Sequence, residues 1–175
     1  MGVPLIVAGP EIPRGASCHT PTSHVDIHPF IMECVGETDP EVHAGHPGVS
    51  LFALLDGEGP DRAVFAEYHG MGSRSGAFMV RHGKYKYVHY VDYPPQLFDL
   101  EQDPEELHDR AADPDCADVR RECEGRLLEL CDPQAVDAQA KRRQRELLER
   151  NGGRAAALAR GDLGFTPPPV RVQID

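Results

Sequence analysis

Residues 77–100 read AFMVRHGKYKYVHYVDYPPQLFDL, and this stretch decides the fold. Ala77 to Arg81 and Tyr85 to Tyr90 are rich in aromatic and β-branched residues. They flank His82-Gly83-Lys84, a hairpin with glycine at its turn. Upstream, Arg62 to Tyr68 alternates well enough for a strand, and His69-Gly70-Met71-Gly72-Ser73 breaks it. Downstream, Gln96 to Leu100 is a further short strand after Pro94-Pro95. Three to four strands in succession predict an antiparallel meander.

Helical signals lie on both sides. From Thr22 or Ser23, either a plausible N-cap, Val25, Ile27, Phe30, Ile31 and Cys34 keep helical spacing as far as Gly36, with Pro29 inside the span. Ser50 to Leu55 is a short apolar helix or turn, and Asp103-Pro104-Glu105-Glu106 is an acidic turn suited to a helix N-terminus. Between Asp115 and Cys131, Val119, Cys123, Leu127, Leu128 and Leu130 make an amphipathic helix that would cover one sheet face. A charged helix follows from about Pro133 to Arg150, then a short one from Arg154 to Arg160 and a Pro-rich tail. At the other end, Val3 to Ala8 is a continuous apolar run closed by Gly9-Pro10, the pattern of a strand covered on both faces. Such a strand needs neighbours, so a chain opening on it reads as cut off.

Composition narrows the function classes. With 18 Lys and Arg against 29 Asp and Glu, the 175-residue chain has a formal net charge of −11. That argues against nucleic acid and anionic membrane surfaces as partners. Gly and Pro together number 33, which speaks against an all-helical bundle. No stretch approaches the ~20 apolar residues of a membrane span, and the first residues lack a basic leader. Five cysteines without framework spacing fit a reducing compartment, so the expected location is cytoplasmic.

Four segments, in order, resemble the C-terminal part of a sulfatase of the alkaline-phosphatase superfamily. Val3 to Pro13 (VPLIVAGPEIP) resembles the family's "VPLI…GPGI" strand and loop, and His24 to Phe30 (HVDIHPF) its "VDIxPT" helix opening. Gly83 to Tyr87 (GKYKY) resembles the "GxYKYI" hairpin, and Leu97 to Glu106 (LFDLEQDPEE) "LYDLxxDPxE". Glu67-Tyr68-His69-Gly70 and Gly161 to Pro169 are similar to the choline-sulfatase-like and phosphonate-monoester-hydrolase-like branch. The resemblance implies an α+β fold: a small antiparallel sheet of three to four strands with packed C-terminal helices. One strand and helix belonging to a larger α/β sulfatase domain would precede it. The implied organisation is a residual end of that α/β core over 1–60, a sheet subdomain with its helix over 61–132, and a charged helix and tail over 133–175.

Complete members of the family use formylglycine, made from Cys or Ser in a Cys/Ser-x-Pro-x-Arg motif, and a divalent metal, usually calcium. Neither belongs to these residues. Cys131-Asp132-Pro133-Gln134-Ala135 begins the motif but has Ala where Arg is required, and Cys116 has Arg120 at the right offset but Asp118 for the proline. No serine starts the motif, so no catalytic residue, metal ligand or cofactor is expected in this chain.

Other candidates are weighed against plainer roles. His24, Asp26 and His28 have ligand-type side chains, but Asp26 lies two residues from each histidine, off their shared helical face. Asp26 is therefore expected to brace the helix start, and a stand-alone zinc site is the weaker alternative. Cys116, Cys123 and Cys131 read as buried thiols, and Arg142, Arg145, Glu146 and Glu149 as ion pairs on a solvated helix. Tyr85, Tyr87 and Tyr90 are expected on the hairpin face or its rim. The loop that opens at His69 follows a strand, a common place for pocket-lining residues. His69, Gly70, Ser73 and Arg74 are the substrate-pocket candidates, Arg74 suiting an anionic group.

The expectation is a C-terminal fragment of a sulfatase-family hydrolase that completes the fold and part of the pocket for a small anionic ester, and is inactive alone. Its partner would be the missing catalytic part. The alternative is a non-catalytic interaction module or relic that self-associates through Val3–Ala8.

Overall fold

Alternation between Ala63 and Asp99 produces one four-stranded antiparallel sheet in the computed structural model, which describes residues 3–37, 39, 41, 44–55, 61–70 and 73–160. The strands are β1 (Ala63–Tyr68), β2 (Ala77–His82), β3 (Tyr85–Tyr90) and β4 (Tyr93–Asp99), in spatial order β1-β2-β3-β4. The α+β meander is as expected. Gly83 makes the β2–β3 turn possible with φ +54°, in the left-handed region that favours glycine. β4 begins three residues earlier than the sequence suggested and includes Pro94 and Pro95. Proline donates no ladder hydrogen bond, and these two lie on an edge strand whose pairing with β3 shifts register between Val88 and Tyr90.

Cross-strand partners line up Val80 with Tyr87 and Tyr87 with Leu97, and Phe78 lies on the same face. All four are 1% exposed or less. Helix α3 (Ala117–Leu130) lies against β2 and β3 and contributes buried Cys123 and Leu127, one helical turn apart. Leu128 and Leu130, expected in the same apolar stripe, are 61% and 53% exposed. Leu128 is about 100° around the helix from Leu127, which turns it off the sheet. Burial pushes the Tyr87 hydroxyl up to about 12 and the Cys123 thiol up to about 11, so both stay protonated at neutral pH. Cys116 is buried with Cys123, whereas Cys131 is only partly buried; all five cysteines are thiols.

The N-terminal part holds a 3₁₀ turn (His24–Asp26), α1 (Ile27–Cys34) and α2 (Leu51–Leu55). Pro29 falls in the first turn of α1, where its missing N–H costs nothing. Val3–Ala8, expected as a covered strand, runs unpaired, with Val3 74% and Ile6 88% exposed. A strand exists only with a ladder partner, and none among the described residues pairs with it. With Ile12, Leu51 and Leu54 it walls an open groove of about 820 Å³ that Arg14, Ser17 and Thr20 also line. The turn at Asp103 does not open a helix. Its carboxylate instead accepts the N–H groups of Leu107 and His108, and the next helical residues begin at Pro114.

The chain divides into two units, 1–131 and 132–175. In the second, α4 (Pro133–Arg150) packs with α5 (Gly153–Ala159). Asp132 caps α4 by accepting the N–H groups of Gln134 and Ala135, and Pro133 takes the first helical position. The ion pairs on α4 differ from those expected: among the described residues they are Lys141–Asp137 at 2.7 Å and Arg150–Glu146 at 3.9 Å. Arg142, Arg145 and Glu149 stay exposed in solvent, where such pairs hold little energy.

One ion pair couples the hairpin to pH. Lys84 Nζ lies 2.8 Å from Asp99 Oδ2, and Asp99 is 2% exposed. Burial would raise the Asp99 carboxyl, but Lys84 and the amides of Gln102 and Glu101 outweigh it and hold it below the ordinary carboxylate value. The hydrogen bond to Asp99 raises Lys84 above the ordinary lysine value. A depressed carboxyl contributes stability that is complete above its unfolded pKa and is lost as pH falls through the folded one. A raised amine contributes stability that is complete below its unfolded pKa and is lost as pH rises through the folded one. Asp99→Asn should therefore give a shallower acid limb, below the usual carboxylate range, when urea midpoints are followed against pH. An acid limb identical to the parent's would contradict this role.

Candidate functional site

The β1–β2 connection carries the candidate residues, and the sheet register explains how its first one is held. Glu67, Phe78 and His89 are cross-strand partners on neighbouring strands. His69 continues past the end of β1 and packs edge-on against the buried Phe78 ring, centroids 5.3 Å apart at 77°. Its side chain is 17% exposed, and its Nε2 lies 3.7 Å from the Glu67 carboxylate. On the other side of Phe78, the His89 ring sits 6.5 Å away. The imidazole at position 69 is thus anchored to the core through one phenyl ring.

Gly70 lies under the outer end of the exposed Tyr68 ring. A Cβ there would fall 2.3 Å from the Tyr68 ring, so any other residue displaces that ring. The Ser73 N–H donates to the Gly70 carbonyl at 3.2 Å, closing the turn, and the Ser73 hydroxyl donates to the Ser75 carbonyl. That commits the Ser73 proton to the backbone rather than to a base, so Ser73 is not arranged as a nucleophile. The loop is tied to the β3–β4 turn where the Val91 N–H donates to the Gly76 carbonyl at 3.1 Å. Arg74 is exposed. Met71 and Gly72 lie outside the described residues. The loop therefore carries an imidazole packed against the core, its two ring nitrogens closed off from solvent, and an exposed arginine suited to an anion, and among its described residues no side chain is arranged as a nucleophile.

His89 and Glu67 join His69 only through register. Pairing across strands is not a local signal, so the sequence alone does not bring His89 to this place. The other candidates resolve into structure. Asp26 is fully buried and accepts the Ser23 N–H at 2.7 Å, the Val49 N–H at 2.9 Å and Arg62 Nη1 at 2.9 Å. It braces the helix start, as expected. His28 stacks on His46, with centroids 4.6 Å apart. Among the described residues no group of three His, Cys, Asp or Glu side chains could hold a metal ion.

A four-stranded meander backed by one helix, preceded by an unpaired apolar segment, has the architecture of a sulfatase C-terminal subdomain. The chain belongs to the N-sulphoglucosamine sulphohydrolase C-terminal family, whose model matches residues 1–133. It is 40% identical over 112 residues to the choline-sulfatase of Rhizobium meliloti (strain 1021), covering 64% of this chain and 22% of that protein. It is 34% identical over 125 residues to arylsulfatase K of Danio rerio, covering 67% of this chain and 24% of that protein. A putative sulfatase from Bacteroides thetaiotaomicron superposes with a TM-score of 0.52 at 28% identity, over 66% of this chain and 25% of that one. The chain thus spans about a quarter of the length of the proteins it matches.

Proposed function

We propose that this chain supplies the C-terminal subdomain of a sulfatase-family hydrolase and has no hydrolytic activity by itself. The match of the family model to residues 1–133 carries the reading. The formylglycine motif and metal ligands would come from a catalytic part, and this chain would complete the fold around it. Within the assembled pocket, Arg74 would attract the anionic ester, and His69, packed on Phe78, would hold the loop that carries it. The reaction of the whole would be hydrolysis of a sulfate monoester. Choline sulfate is the first ester to try, because the Rhizobium meliloti relative bears that name.

Purified chain should release no sulfate from choline sulfate or an aryl sulfate, while the chain joined to a catalytic part should. In the joined enzyme, Arg74→Ala should raise KM about tenfold with a smaller effect on kcat. Sulfate release by the chain alone, at a rate that follows its concentration through purification, would overturn the reading.

A second reading rests on the exposure of Val3, Leu5 and Ile6. An unpaired apolar segment is adhesive, and a non-catalytic module or relic could pair through it. Dimerisation lost on replacing Ile6 by lysine, with no catalytic part encoded nearby, would favour it.

A further inference from the structure

The sheet has two faces, and α3 covers one of them. His82 of β2 meets Glu122 of α3 at 3.4 Å, so Phe78, Val80 and His82 point to the helix. Side chains alternate along a strand, which puts Met79 and Arg81 on the other face. Register carries that face across the sheet: Arg81 lies between Val64 and Lys86 in one row, Met79 is opposite Ala66 in the next, and Ala77 opposite Tyr68 in the third. In the first row Val64 is buried, whereas Ala66 is exposed and Tyr68 is 56% exposed. The face is thus closed at one end and open at the other.

Arg81 and Lys86 are direct cross-strand partners, and like charges so placed repel unless carboxylates neutralise them. Lys86 has its carboxylate in Glu106. Arg81 has none among the described residues, and its Nε is closed off from solvent without a hydrogen-bond partner. A guanidinium cannot shed its charge, and partial burial without a counter-ion is costly. Acidic residues outnumber basic ones 29 to 18, so the vacancy does not come from a shortage of carboxylates in the chain. Arginine, methionine and tyrosine together are what protein interfaces favour. We propose that the sheet face turned away from α3 is the seat of the hydrolase's catalytic part, and that Arg81 receives a carboxylate from it. Charge complementarity selects an acidic group on that partner. The inference rests on the hydrolase reading and adds to it the surface and the residue through which the two parts join.

Arg81→Met tests it in two settings. In the chain alone the urea midpoint should hold or rise, because the change removes a cation that lacks a partner and faces Lys86. In the chain joined to its catalytic part, the same change should lower the melting temperature by about 3 °C or more, since it strands the carboxylate across the seat. Ala66→Arg, at an exposed position of the same face, should likewise spare the chain alone and lower the melting temperature of the joined enzyme. A midpoint that falls for Arg81→Met in the chain alone would overturn the proposal, because the arginine would then serve this chain's own fold. So would a joined enzyme whose melting temperature either variant fails to lower; sulfate release by the joined parent would in that case leave the hydrolase reading standing. Dimerisation of the chain alone that Arg81→Met abolishes would make the occupant a second copy and overturn it as well. A joined parent that folds but releases no sulfate would remove the hydrolase reading, and this seat with it.

Discussion

Asp26→Ala is expected to destabilise the first unit by about 3–5 kcal/mol in urea unfolding, the range for breaking a buried ion pair from one side. The carboxylate is fully buried and serves three donors from different parts of the chain. Removing it strands the Ser23 and Val49 N–H groups and leaves Arg62, whose side chain is 12% exposed, without its partner. Asp26→Asn should recover only part of the loss, because its amide NH₂ would face donors rather than acceptors. Hydrogen exchange at Val49 gives a local readout, since that amide should lose protection even under conditions where the sheet stays folded. A loss below about 1 kcal/mol, in the range of an ordinary surface substitution, would show that the three contacts do not act as a brace.

Phe78→Ala is the second large effect, again about 3–5 kcal/mol. Phe78 is completely buried, and its ring touches the space of Phe65, His69 and His89 at 5.3–6.5 Å between centroids. Truncation leaves a cavity at the end of the sheet nearest the candidate site, so the same change should release the His69 ring. Phe78→Leu keeps most of the volume and should cost less stability while still removing the edge-on aromatic contact. In an assembled hydrolase, it should then impair substrate handling more than folding. If Phe78→Leu leaves the chemical shifts of the His69 ring unchanged, that ring is held by something other than Phe78.

Much of this architecture is legible in local signals. The β2–β3 hairpin follows from alternation around a single glycine, and α4 from Asp132-Pro133 at its start and Asn151-Gly152-Gly153 at its end. What escapes local reading depends on distant partners. Pro94-Pro95 looks like a strand breaker until β4 is known to be an edge strand. Val3–Ala8 has the composition of a buried strand, but pairing is a property of two segments, and none of the other described residues pairs with it. Leu128 was placed in the core stripe by its apolar character, and the helical angle from Leu127 puts it in solvent.

The candidate site divides the same way. His69 could be picked out because it follows a strand and opens a glycine-rich loop. Its dependence on Phe78, and the place of His89 beyond that ring, are facts of register that only the assembled sheet displays. Gly70 reads as a turn residue in sequence, and its approach to the outer end of the Tyr68 ring shows only in the structure. Asp26 was correctly separated from His24 and His28 by spacing alone, but its partners Val49 and Arg62 lie 23 and 36 residues away.

The central claim is that these residues function joined to a sulfatase catalytic part, and sequencing the DNA immediately upstream of the codon for Met1 tests it most directly. The account predicts an in-frame or adjacent reading frame that carries Cys/Ser-x-Pro-x-Arg together with acidic metal ligands. Unrelated DNA there would contradict it, leaving the fold as an inheritance from sulfatases without their chemistry.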